Sequence, residues 1–300
     1  IKKFKLSEVR DTINQRLNPK KAPGYDLITG KVLKELPNEG IKLITYIFNA
    51  VMRIGHFPTQ WKVAQIILIP KPGKPTDEVS SYRPISLLPI MSKVFEKLFL
   101  KRLNPILQKN SLIPDHQFGF RKQHATIEQV HRVVNVINEC LEKKNYCSAA
   151  FLDVSQAFDR VWHDGLLYKI KNMLPNNYFQ ILKSFLTERY FYVKINNEQT
   201  SLFDIKAGVP QGSVLGPVLY LLYTADLPTT SNTVVATFAD DTAVLASHSD
   251  PGIATQHLQR SINNIQHWLA KWRIKANATK SVHVTFTMKR ENCPPITLNN

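Results

Sequence analysis

Apolar residues recur along the chain at two periods, and each predicts a different kind of element. Spacings of three and four place Ile127, Val130, Val134, Ile137 and Leu141 on one helical face, and Leu258, Ile262, Ile265, Leu269 and Trp272 on another. Both stripes read as core-facing sides of amphipathic helices. Asn38 and Gly55 bracket a further helix around residues 41–48, as start and stop signals. Residues 92–103 are helical in period as well. Short runs rich in β-branched and aromatic residues predict strands at 63–69, 149–154, 191–195, 234–238 and 282–286. Helices and strands interleave irregularly, without βαβ repetition, so the fold class is α+β.

Two of these runs end in acids. The apolar stretches on either side of Asp240 and Asp241 read as a hairpin with the carboxylates at its turn. A turn lets neighbouring side chains serve one site, whereas an extended strand sends them to opposite faces. Two carboxylates about 4 Å apart repel by ~4 kcal/mol at an effective dielectric of 20, so one takes up a proton unless a cation lies between them. Taken alone, the pair is equally an ordinary polar turn. The second run, Cys147 to Leu152, delivers Asp153 at its end after residues 149–152, with no basic neighbour in sequence. Ser155 is expected to cap a helix that follows at once, with Asp159 pairing or capping within it. Asp153 and Asp240 on adjacent strands could hold two divalent ions, an arrangement suited to in-line phosphoryl displacement. All the ligands are hard oxygens, which points to magnesium.

These segments carry a recognisable pattern. Phe151-Leu-Asp153-Val-Ser-Gln-Ala-Phe158-Asp159 resembles motif A of reverse transcriptases, the stretch from Gly208 through Gln211, Gly212 and Gly216 resembles motif B, and Phe238-Ala-Asp240-Asp241 resembles motif C. The blocks around Gly24, Lys71 and Arg83, together with Gln117-Phe-Gly-Phe-Arg121, are similar to the non-LTR (LINE-type, jockey-like) retrotransposon branch. The resemblance implies a polymerase palm-and-fingers right-hand fold. Fingers are expected at about 1–145 and 172–208, and palm at about 146–171 and 209–288. A thumb is expected to be absent from this segment, as is the upstream endonuclease domain that family members usually carry.

The resemblance also assigns roles. It makes Asp153, Asp240 and Asp241 the catalytic acids and metal ligands, with two Mg2+ ions as cofactor. Phe158 matches the bulky residue that excludes a ribose 2′-hydroxyl and so favours a DNA product, with an ordinary core phenylalanine as the lesser alternative. Lys71 and Arg83 match the groups that grip an incoming triphosphate, where a forked guanidinium and a compact ammonium both suit phosphate oxygens; Lys74 competes with Lys71. Gln211 and Gly212 match the pair lying against nucleotide and template. Lys280 matches a proposed proton donor to the pyrophosphate, or is simply a loop lysine. The implied activity is RNA-directed DNA polymerisation by a mobile element, with RNA template, DNA primer and dNTP as partners and a nuclear, intracellular site of action. An RNA-directed RNA polymerase and an inactive nucleic-acid-binding remnant are the alternatives. The segment alone is expected to extend a primer poorly.

Composition bears on the partner. Lysine and arginine total 39 against 23 acids, for a net charge of +16 and a pI near 9.7. That surplus implies a polyanionic ligand bound with strong salt dependence. Lys93, Lys97 and Lys101 recur every fourth residue and either track a template backbone or form a solvated face. Three cysteines, odd in number and without metal-ligand spacing, fit a reducing compartment. No apolar run approaches a membrane span and no signal peptide opens the chain. The chain reads as a segment of a longer polyprotein.

Overall fold

A computed structural model describes residues 1–196 and 198–298. In chain order the elements are α1 (Leu6–Arg16), α2 (Gly30–Lys34), α3 (Asn38–Ile54), β1 (Val63–Pro70), β2 (Tyr82–Leu87), α4 (Ile90–Lys109), α5 (Thr126–Glu142), β3 (Tyr146–Leu152), α6 (His163–Met173) and α7 (Asn176–Leu186). Then follow β4 (Tyr190–Ile195), β5 (Glu198–Gln199), β6 (Phe203–Asp204), α8 (Gly216–Thr224), β7 (Val234–Phe238), β8 (Asp241–His248), α9 (Pro251–Lys271) and β9 (Val282–Phe286). The chain divides into two compact units. One comprises residues 1–112 and 163–219, the other 113–162 and 220–300.

In the first unit, helices surround a sheet ordered β2-β1-β4-β5, with β6 also paired to β4. Its core is aromatic. Phe95 on α4 meets Phe4, Phe48, Phe57, Trp61 and Phe99 at centroid separations of 5.6 to 6.1 Å, and Phe57 meets Phe185 at 5.1 Å. Most of these contacts are edge-to-face, the arrangement that ring quadrupoles favour. Helix α3 stops where Gly55 takes φ +71 and returns its N–H to the Val51 carbonyl. The lysine stripe on α4 is tied down within this unit. Lys97 Nζ donates to the carbonyl of Arg16 at 2.6 Å, at the end of α1, and Lys101 Nζ donates to Thr12 Oγ1 at 3.2 Å. Burial lowers the pKa of Lys93, Lys97 and Lys101; neighbouring cations lower Lys97 further, while Glu96 partly offsets the shift at Lys93, and Glu8 and Asp11 that at Lys101.

One buried carboxylate organises the far end of the same unit. Glu96, fully buried beside Phe95, accepts from Ser92 Oγ at 2.7 Å, from Val214 N at 2.7 Å and from Leu215 N at 3.0 Å. Those two amides open α8, so Glu96 supplies an acceptor for donors that a helix N-terminus leaves unpaired. Ser213 Oγ accepts a third amide, from Gly216, at 2.7 Å. Burial raises the Glu96 pKa, and the hydrogen bonds from Ser92, Leu215 and Val214 and the charge of buried Arg189 oppose that rise.

The second unit is built on a sheet ordered β7-β8-β3-β9, every pairing antiparallel. Cys147, Ala149, Ala243 and Leu245 cluster with Cys140 of α5, and Val133, Val136 and Ile137 pack on them. Helix α9 packs against β3 and β8, started by Asp250, whose carboxylate accepts from Ile253 N at 2.9 Å. Its stripe from Leu258 to Trp272 is buried as expected. The α5 stripe is buried only in part. Ile127, Val130 and Val134 are 60%, 50% and 41% exposed, while Ile137 packs on the core cluster beside Val133, Val136 and Cys140. The three cysteines are free and buried; burial, with Cys140 adjacent, pushes the Cys147 thiol up to about 12.

The helix expected to begin at Ser155 is absent. Gln156 adopts φ +52, Asp159 and Arg160 both donate to its carbonyl at 3.0 Å, and helix resumes only at His163. Ser155 donates instead to the Lys275 carbonyl at 3.0 Å, because Val154 bridges Ala276 and holds the chain extended past the end of β3.

Removing the Glu96 carboxylate by Glu96→Ala strips two helix-opening amides of their acceptor and leaves Arg189 without its opposing charge. We expect a loss of roughly 3–5 kcal/mol in denaturant unfolding, against a much smaller loss for an exposed control such as Glu39→Ala.

Candidate active site

Sheet register brings the acids together. β3 and β8 pair with Leu152 opposite Thr242. The pairing ends there, with Asp153 and Asp241 as the next residue of each segment. Like charges brought close in this way are unfavourable. β7 and β8 pair with Phe238 opposite Asp241, so the hairpin loop is Ala239–Asp240, with Ala239 at φ +58. Asp241 therefore opens β8, and Asp240 alone of the two acids belongs to the loop.

A groove of about 410 Å3 is lined by Asp153, Asp241 and Lys280 together with Val130, Val134, Phe151 and Phe238. Asp240 borders a separate, smaller cavity of about 30 Å3, whose lining includes Gln117, Tyr220 and Thr242. Burial raises the pKa of Asp240 first, and the charges of Asp241 and Asp153 raise it further. Asp241 is raised by burial and then by Asp153. The three carboxylates thus share one electrostatic field. Among the described residues, however, no three His, Cys, Asp or Glu side chains gather tightly enough to hold a metal ion. The donor chemistry suits a hard divalent cation, and the charge excess on these acids would be relieved by one.

The loop after α9 closes around Asp153. Ser281 Oγ accepts from Asp153 N at 3.1 Å, and the Asp153 carbonyl accepts from Asn277 N at 2.8 Å. Lys280, in the same loop, lies 4.0 Å from Asp153 Oδ2. Asp153 therefore has a basic neighbour that the local sequence did not reveal. Lys280 is 69% exposed, so the pair adds little stability.

Phe158 is half-buried and its ring is held on two sides. It stacks on Tyr220 with centroids 4.8 Å apart and planes inclined by 16°, and Phe120 meets its edge at 5.8 Å. Tyr220 is buried, and burial together with the charges of Asp240 and Asp241 raises its pKa. Sequence reasoning passed over Tyr220 because it sits in the uniformly apolar run of α8. Its one sequence signal is a phenol among aliphatic side chains.

The remaining candidates belong to the first unit. Lys71 Nζ donates to the Ser80 carbonyl at 2.7 Å, within the loop joining β1 to β2. Arg83 lies on β2 opposite Ile69, with its side chain exposed. Ser86 on the same strand donates its N–H to the Gln211 carbonyl at 2.8 Å. Gly212, at φ +125, lies so close that a Cβ there would overlap the Ser86 carbonyl oxygen. Arg83 and the Gln211–Gly212 segment are thus joined through one strand, while the acids, Phe158 and Lys280 are joined in the other unit.

Residues 69–294 match the family model described as reverse transcriptase (RNA-dependent DNA polymerase). The chain belongs to the reverse transcriptase family. Among curated relatives, this reverse transcriptase chain is 45% identical over 302 residues to the RNA-directed DNA polymerase from mobile element jockey of Drosophila melanogaster. It is 46% identical over 301 residues to the probable RNA-directed DNA polymerase from transposon X-element of the same species. These alignments cover 98% and 99% of the chain but 33% of each relative, so it spans about a third of their length. A solved apo telomerase from Candida tropicalis superposes with a TM-score of 0.56 at 16% identity, covering 91% of this chain and 60% of that one. The fold is that of the right-hand polymerases, as the motifs implied.

Raised carboxyl pKa values have a measurable cost. The fold favours the protonated forms of Asp240 and Asp241, whose ordinary value is 3.8. Their contribution is therefore fully present in acid and is lost as pH rises through the folded-state pKa. Without divalent metal, Asp240→Asn and Asp241→Asn should melt above wild type at neutral pH, and the gap should close on acidification. Identical melting curves at both pH values would remove the proposed repulsion.

Proposed function

We propose that this chain supplies the palm and fingers of a mobile-element RNA-directed DNA polymerase, a nucleotidyltransferase that adds deoxynucleotides to a DNA 3′ end on an RNA template. The observation that supports the reading is the pairing of β3 with β8, which ends at Leu152 opposite Thr242, so that Asp153 and Asp241 line one groove. The unit containing these acids would be the palm. The unit containing Arg83 and the Gln211–Gly212 segment would be largely the fingers.

Asp153, Asp240 and Asp241 would hold two magnesium ions, which when bound stabilise the charge on a phosphoryl group in transfer. The protein's own part is positional. Phe158, fixed between Tyr220 and Phe120, presents a rigid ring to the sugar, so a 2′-hydroxyl finds no space. Lys71 and Arg83 offer donors for triphosphate oxygens. Gln211 and Gly212, pressed against β2 by backbone contact, form a firm surface for the nucleotide and template. Lys280, 4.0 Å from Asp153, would give a proton to departing pyrophosphate. The basic surplus suits an RNA template and a DNA primer. Such work belongs in the nucleus, where the target DNA is.

Primer extension on an RNA template by the full-length protein tests this. Asp240→Asn should abolish extension while leaving nucleic-acid affinity within about twofold, since the ligand's phosphates are bound elsewhere. Extension equal to wild type would refute the catalytic assignment, and inactivity of the wild-type protein would favour a decayed remnant. Phe158→Ala should relax sugar selection, raising ribonucleotide use relative to deoxynucleotide by roughly 10–200-fold, the scale of a lost steric contact. Equal use of both sugars by the wild type would favour an RNA polymerase.

A further inference from the structure

The Ala239–Asp240 loop is held from outside the hairpin. Residues 116–118 run alongside β7 as an extra parallel segment. Thr237 N donates to the His116 carbonyl at 2.9 Å, and Phe118 N donates to the Thr237 carbonyl at 2.9 Å. Where that ladder should next reach Ala239, a side chain takes over. The amide of Gln117, a residue 4% exposed, accepts from Ala239 N at 2.9 Å through Oε1 and donates to the Ala239 carbonyl at 3.1 Å through Nε2. Oε1 also accepts from Gly119 N at 2.7 Å. A primary amide carries one acceptor oxygen and two donor hydrogens, so Gln117 reproduces what a facing peptide group would offer a strand.

The remaining contacts explain why this bracket is close. A Cβ on Gly119 would overlap Ala239 N and lie 2.8 Å from its Cα. Only glycine lets the segment approach so near. Ala239 holds φ +58 without being glycine, a conformation that surroundings must impose on an L-residue. Gln129 Nε2 fixes the base of the same segment, donating to the His116 carbonyl at 2.8 Å and the Thr237 carbonyl at 3.0 Å.

We propose that Gln117 is a positioning residue for the carboxylates: it locks the Ala239 peptide, and with it the direction from which Asp240 and Asp241 meet Asp153. This inference rests on the catalytic reading of those acids. The carboxylates repel one another, so a free loop would swing them apart. The bracket opposes that motion with two hydrogen bonds from the Gln117 side chain to the Ala239 backbone, and a third, from Gly119 N, fixes the side chain itself.

The test uses full-length protein and reads metal affinity directly, by electron paramagnetic resonance of Mn2+ without nucleic acid, beside primer-extension kinetics and melting temperature. Gln117→Met keeps volume and removes all three bonds. We expect Mn2+ affinity and kcat each to fall by about 10–100-fold, the scale of losing a group that orients metal ligands, with dNTP KM within about twofold. Gly119→Ala, which pushes the segment away, should shift Mn2+ affinity in the same direction. If Gln117→Met does not fold, Gln117→Glu carries the same readings. It keeps the two acceptor bonds and loses the donor, so weaker Mn2+ binding despite an added negative charge supports the bracket. Unchanged Mn2+ affinity and kcat in the folded variants, or a lowered melting temperature alone, overturns it. An active Asp240→Asn removes the underlying reading and this inference with it. An inactive Asp240→Asn beside a fully active Gln117→Met refutes the bracket only.

Discussion

Mutual repulsion of carboxylates is the constraint around which the acid-bearing unit is arranged. Two such groups at cross-strand spacing of ~5 Å repel by about 3 kcal/mol at an effective dielectric of 20. That is a large fraction of a domain's net stability. The unit tolerates it because each acid is set by backbone rather than by its own preference. Asp153 is fixed through its main chain by Ser281 and Asn277, Asp241 by pairing with Phe238, and Asp240 by a loop held from residue 117. The conflict remains in the side chains, where a bound cation can relieve it.

The other unit solves a complementary problem. Its α4 carries a stripe of lysines, and that charge must not unfold its support. Here an aromatic core takes most of the burial, and lysines on α4 bury their stems while their heads find the carbonyl and hydroxyl of α1. Glu96 places one carboxyl group in the interior, where it orders the amides that follow Gln211 and Gly212. The proposed nucleotide-facing segment is therefore held by main-chain contacts and one buried acid.

Much of this was legible beforehand because the signals were local. The hairpin at Asp240–Asp241, the strand before Asp153 and the buried stripe of α9 each follow from residue type and period over a few positions. What escaped depended on distant partners. Ser155 has the composition of a helix cap, but Ala276 and Lys275 hold it in an extended bridge from over a hundred residues away. The N-terminal half of the α5 stripe was misread because Ile127, Val130 and Val134 are as apolar as the residues that pack. Only the sheet, meeting Val133, Val136, Ile137 and Cys140, decides which of them are covered. Lys280 beside Asp153, and Gln117 beside Ala239, are contacts no spacing rule anticipates. The motif blocks conveyed the fold and the family. The hydrogen bonds between blocks became visible only in three dimensions.

The buried cysteines have a consequence for chemistry under oxidising stress. Thiol exchange and oxidation proceed through the thiolate. With the Cys147 thiol pushed up to about 12, its ionised form is a trace at neutral pH. This sulfur, enclosed by alanine and leucine side chains, behaves as one more hydrocarbon-like filler. At this position in the sheet bearing the acids, the sulfur is therefore a poor nucleophile toward peroxide or glutathione.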